Sequence, residues 1–136
     1  MKLVLLSIVA GLLGQAAPAP TPIATLAGNW VTTAVPPPGQ APTGPPTFTL
    51  EVKADKVIVT FERQDPADAI VFCPRGRTPA QDVSLILIKQ TRGATNRMTI
   101  IRPIAAGQVR VENYFEFTDG RPTPSFYYDE VFKKGK

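Results

Sequence analysis

The residues Thr47-Phe48-Thr49-Leu50-Glu51-Val52-Lys53-Ala54-Asp55-Lys56-Val57-Ile58-Val59-Thr60-Phe61-Glu62 decide the fold class. Phe48, Leu50 and Val52 alternate with Thr49, Glu51 and Lys53, and Val57, Val59 and Phe61 alternate with Lys56, Thr60 and Glu62; only Ile58 breaks the order. Successive side chains of an extended chain point to opposite faces, so a period of two marks a strand with one buried face. A two-residue turn at Ala54-Asp55 brings Val52 opposite Val57, Leu50 opposite Val59 and Phe48 opposite Phe61, all on one face. Burying each such side chain is worth about 1.5–3 kcal/mol, which commits that face to a core. The turn lacks an Asn-Gly or Asp-Gly signal and sets Lys53 opposite Lys56, a repulsion that Asp55 offsets in part.

Outward from this hairpin the same periodicity recurs. Gln108 to Thr118 is the longest alternating run, with Val109, Val111, Asn113, Phe115 and Phe117 on one face and Arg110, Glu112, Tyr114 and Glu116 on the other. Asn113 is a polar residue in an apolar row, and a buried amide without a partner costs about 1–3 kcal/mol, so it needs a hydrogen bond from protein, water or ligand. Together the patterns predict strands near 28–34, 46–53, 56–63, 69–73, 83–89, 96–102, 108–118 and 125–132, with Pro103 ending the sixth. No segment has helical periodicity. The fold class is all-β, a single eight-stranded antiparallel up-and-down barrel, with a two-sheet β-sandwich as the alternative.

Gly28-Asn29-Trp30-Val31 heads the first strand and holds the only tryptophan. This Gly-x-Trp start, with the strand order behind it, resembles the lipocalins and the wider calycin barrels, in which the Trp plugs the closed end. The chain is shorter than most lipocalins and lacks the helix that follows their barrel, so it is most similar to the small bacterial lipocalin-like proteins. The resemblance implies a barrel holding a small apolar ligand: Trp30 as floor, Phe48, Phe61, Phe115, Phe117 and Tyr128 as lining, and Asn113 orienting a polar group. It also implies a basic residue late in the chain over the Trp, here Lys133 or Lys134, and a long connection after the first strand folded across the mouth. Val35 to Pro46, with six prolines in twelve residues, fits such a lid, or a surface loop. A filled interior is the competing expectation for every lining residue. The function is then that of a non-catalytic interaction protein, an inhibitor or envelope subunit, contacting its partner through the Pro-rich loop or an outer stripe of Ile86 and Ile88.

The rest of the sequence bounds the setting. Leu3 to Leu13 is an apolar run behind Lys2, broken only by Ser7 and Gly11 and followed by small residues. It is shorter than the roughly 20 residues of a bilayer span and has no polar face. Residues 1–16 therefore read as a cleavable signal peptide, and the mature chain as secreted or periplasmic without a membrane span. Residues 17–27 read as a Pro-rich flexible leader, 28–132 as the barrel and 133–136 as a loose charged tail. The net charge is +4 and its basic residues are dispersed, which argues against nucleic acid as a partner.

The absence of histidine removes the usual general base and zinc ligand, and no cofactor, metal or catalytic residue is assigned. Glu130 beside Tyr128 is the one acid/base candidate, against the simpler reading of a solvated charge. Cys73 is alone, so it makes no intramolecular disulfide and reads as a small buried hydrophobe or as a reactive thiol. Arg75-Gly76-Arg77 reads as a solvated turn or an anion contact.

Overall fold

The computed structural model describes residues 19–41, 44–119 and 126–136, the side chains of 126–128 excepted. The expected signal peptide, residues 1–16, lies outside the described residues. Alternation in the sequence becomes eight antiparallel strands: β1 (Gly28–Thr32), β2 (Thr47–Val52), β3 (Val57–Phe61), β4 (Ala67–Phe72), β5 (Leu85–Arg92), β6 (Thr95–Ala105), β7 (Gln108–Phe117) and β8 (Phe126–Lys134). Each pairs with the next, and β8 returns to β1 through Trp30–Lys134, Val31–Lys133 and Thr32–Phe132. The ring is closed, which excludes the sandwich. The hairpin has the expected register, Phe48 opposite Phe61, Leu50 opposite Val59 and Val52 opposite Val57.

Closure fixes which alternate residues point inward. An aromatic cluster fills the lumen: Phe48 lies 6.0 Å from the Trp30 ring, 5.2 Å from Phe61 and 5.1 Å from Phe132, centroid to centroid. Trp30 is 1% exposed, and its indole Nε1 donates to the Leu26 carbonyl at 2.9 Å.

That carbonyl belongs to a short helical turn, α1 (Ile23–Leu26), which corrects the expectation of a flexible leader. Ile23 and Leu26 stand three apart, so one turn buries both. The segment is tied down by Thr21 N–H to Asp82 Oδ1, Ile23 N–H to the Pro79 carbonyl and Val83 N–H to the Thr21 carbonyl, each at 2.8 Å. The charged tail is likewise ordered: β8 runs to Lys134, and Gly135 N–H donates to the Asn29 carbonyl.

The expected outer stripe of Ile86 and Ile88 is also corrected. Both are buried in the lumen, at 0% and 1% exposure, because the register sets Ile86 opposite Ile101 and Ile88 opposite Thr99, two inward residues. A strand with apolar residues on both faces leaves its parity undecided, and a one-residue slip inverts every side chain. The outward apolar residues are Leu85 and Leu87, which pair with Phe72 and Ile70 of β4. Pro103 does not end β6. It sits within the strand beside a register shift between Pro103 and Ala105, the irregular kind of position where a strand tolerates proline. Cys73, expected to be buried, is half-buried just after β4.

Two predictions follow from this inward set. Trp30→Ala should cost about 3–5 kcal/mol, a large share of the roughly 5–15 kcal/mol by which a domain is stable, read as a drop in the urea midpoint by circular dichroism. Ile88→Asp should prevent folding, whereas Leu87→Asp should cost no more than about 1 kcal/mol; the opposite ranking would overturn the assigned parity.

Candidate functional site

The closed end of the barrel, where β1 begins, is sealed by residues from both ends of the described chain. Gly28 takes φ +122°, and a Cβ there would stand 3.4 Å from Lys134 Cε, so the position favours glycine. The Lys134 stem crosses this point. Its Nζ donates to the Thr25 carbonyl at 2.7 Å and lies 5.9 Å from the Trp30 ring centroid. Of the two lysines anticipated over the Trp, Lys134 is the one in place. Trp30, Phe48, Leu50 and Phe132 are each 2% exposed or less, so the closed half of the lumen is filled.

The open half is different in chemistry. β6 and β7 pair so that Thr99 faces Asn113 and Arg97 faces Phe115. Thr99 and Asn113, at 0% and 1% exposure, are buried polar side chains in an otherwise apolar interior. Arg97 Nε donates to Thr99 Oγ1 at 3.2 Å, and the Thr99 hydroxyl donates to Asn113 Oδ1 at 2.8 Å. A guanidinium only donates, so the direction of this relay is fixed. It leaves Asn113 Nδ2 buried with no hydrogen-bond partner among the described residues, which costs about 1–3 kcal/mol. The Arg97 guanidinium carbon lies 5.2 Å from the Phe61 ring centroid, a cation–π contact that holds the side chain across the lumen.

Above this row opens a cavity of about 530 Å³, lined by Gln64, Asp65, Gln90, Thr91, Arg92, Thr95, Arg97 and Phe115. Arg63, in the left-handed conformation at φ 60°, turns the chain after β3 toward Gln64 and Asp65. Among the described residues this lining carries the charged side chains Arg92, Arg97 and Asp65. On the neighbouring wall Thr32 Oγ1 donates to Glu130 Oε2 at 2.9 Å. Thr32 and Glu130 share a smaller cleft of about 150 Å³ with Pro36, Pro37 and Gln40 of the Pro-rich loop. In its described part that loop borders this cleft and does not line the larger cavity.

The structure thus separates the sequence-predicted site residues. Trp30 and Phe48 are packed into the filled half. Phe61 lies under Arg97, Asn113 lies one inward step below Phe115, and Phe115 reaches the cavity wall. Phe117 is partly buried at the far end of β7 and outside the cavity lining. The Tyr128 side chain lies outside the described residues; its backbone pairs with Asn113. Sequence reasoning missed Arg97 and Thr99, because Met98 and Ile100 on one face of β6 compete with Ile101 on the other. Only the register with Asn113 identifies the inward row. Among the described residues no group of three or more Cys, Asp or Glu side chains is placed to hold a metal ion.

If the polar row is kept for binding rather than for folding, Asn113→Leu, which removes the unsatisfied buried amide and leaves Thr99 Oγ1 to accept from Arg97 Nε, should hold stability or raise it by up to about 1 kcal/mol. A lower urea midpoint would show the row to be structural. Compared with known protein families, curated proteins and solved structures, the chain matches none, and its function is read from the closed barrel and this polar row.

Proposed function

We propose that the chain is a lipocalin-like binding module, exported from the cytoplasm, whose small ligand sits in the open-end cavity against Phe115 and above Phe61. The observation that carries this reading is Asn113 Nδ2, a buried N–H pair without an acceptor among the described residues. Folding alone gives no reason to keep such a group where leucine would pack. The sealed end supports the family likeness, because Gly28, Trp30 and Lys134 form the plug that the resemblance implied. With the closed half filled, this reading puts the ligand at the mouth and not in the deep cavity expected of the sequence. Export rests on the apolar run of residues 3–13 and its flanks.

A second reading, the interaction protein, has its own observation. Ile70 and Phe72, 51% and 45% exposed, pair with the outward Leu87 and Leu85 to form an apolar strip on the outside of the ring. Native mass spectrometry of the protein purified from its own host separates the two. A small molecule retained one-to-one, and lost on Phe115→Ala, supports the binding module. A co-purifying polypeptide released by Phe72→Glu supports the interaction protein, and an empty monomer in every preparation would refute the binding reading.

A further inference from the structure

We propose that the outer face of β4, β5 and β6 is a self-complementary interface, and that a second copy of this chain covers it in a reversible two-fold dimer. This face lies on the outside of the ring, apart from the cavity.

Closure of the ring turns alternate residues of each strand outward. On β4 these are Asp68, Ile70 and Phe72, in order from the open end of the barrel toward the closed end. In the same direction β5 contributes Lys89, Leu87 and Leu85, and β6 contributes Met98, Ile100 and Arg102. The register sets Leu87 between Ile70 and Ile100, so an apolar band crosses the middle of the face; Phe72 beside Leu85 flanks it on one side and Lys89 beside Met98 on the other. Ile70 and Phe72 are 51% and 45% exposed, and an apolar patch of this kind on the outside of a barrel marks a contact surface.

The placing of the charges selects the occupant. Asp68 and Arg102 stand at opposite corners of the face, with Phe72 and Met98 at the other two. In a two-fold dimer the axis lies in the contact plane, and each residue meets the one reflected across that axis. An axis along the Phe72–Met98 diagonal sets Asp68 over Arg102 of the partner subunit, and symmetry makes this pair twice. Ile70 then covers Leu85 of the partner subunit, Leu87 meets its own counterpart, and the Lys89 stem lies over Ile100 of the partner subunit with its ammonium at the rim. The other axes do worse. Along β5 the axis stacks Lys89 on itself, along the other diagonal it stacks Asp68 on Asp68 and Arg102 on Arg102, and across the strands it sets both charges on apolar side chains.

Both corner charges remain accessible to such a partner. Lys56 approaches Asp68 only to 3.9 Å, and the Asp68 side chain is 76% exposed. Arg102 Nε donates to Glu112 Oε2 at 3.1 Å, which orients the guanidinium and leaves the side chain 44% exposed. A guanidinium has five N–H donors, so it can bridge Glu112 and a second carboxylate. An anionic membrane surface would call for a uniformly basic rim, and Asp68 opposes that. The face is smaller than the roughly 20–30 residues a side of a standard interface, so the dimer is weak, with a Kd between about 1 μM and 1 mM.

Sedimentation equilibrium of the purified protein up to about 1 mM reads this association. Asp68→Arg and Arg102→Asp each set like charges together at two points, and each should weaken the dimer about tenfold or more. An equimolar mixture of D68R and R102D should associate again, because a two-fold heterodimer of these variants has opposite charges at both points. The double variant D68R/R102D should likewise regain the dimer. Asp68→Asn serves if a charge reversal does not fold by circular dichroism, and it should weaken the dimer and reduce its sensitivity to salt. A protein still monomeric at about 1 mM overturns the proposal, as does a dimer unmoved by the reversals or variants that the mixture does not rescue. A monomer carrying a different polypeptide, released by Phe72→Glu, also overturns it and gives the face to the interaction-protein reading. None of these outcomes bears on the ligand cavity.

Discussion

Everything inside the barrel depends on the seam between β1 and β8. It consists of three residue pairs, against ten between β6 and β7, yet it turns a strip of sheet into a tube and so decides which side chains face the lumen. Trp30 belongs to this seam and to the interior at once. Its backbone pairs with Lys134 and Phe48, while its ring stacks on Phe48 and its indole N–H anchors α1. The Lys134 side chain, crossing at Gly28, ties the same point to Thr25. Closure of the tube and sealing of its end are therefore one structural event, carried by a few residues from the two ends of the described chain.

With that end sealed, the lumen divides into two chemistries. The lower half has side chains in mutual contact and, among the described residues, no buried polar side chain lacking a partner, so it contributes stability through area removed from water. The upper half gives up part of this gain to keep a guanidinium, a hydroxyl and an amide in a low-polarity surrounding. A polar network of this kind is worth most when every member is satisfied, and here one member is not. The departure from good packing lies beside the cavity, at the boundary between the filled half and the mouth.

Much of the architecture was legible because alternation is a local property. The Thr47–Glu62 hairpin specified its own register through its turn and its apolar rows, and the count of eight strands with short links pointed to a meander that closes. What failed did so where the local pattern is degenerate. Val83 to Ile88 is apolar on both faces, so nothing in the strand distinguishes Ile86 and Ile88 from Leu85 and Leu87; the neighbouring strands decide. Arg97 was hidden for a related reason, since the two faces of β6 differ little in polarity and its place in the lumen is set by pairing with β7. The turn at Ile23–Leu26 was hidden by its prolines. Pro22 reads as a breaker, yet it stands at the N-cap, where its missing N–H costs the helix nothing. Asn113 was the one site residue whose oddity showed in the sequence itself, a polar side chain at an inward position of a regular strand.

The seam also dictates an order of events. A chain emerging amino end first presents β1 through β7 as a curved sheet with two unsatisfied edges, and no amount of local pairing can complete it before β8 exists. Those edges are templates for any other extended polypeptide nearby, and joining the first strand to the last requires the longest loop closure in the molecule. A holding factor that shields strand edges during synthesis therefore has its greatest effect in the interval before the eighth strand arrives, and little thereafter.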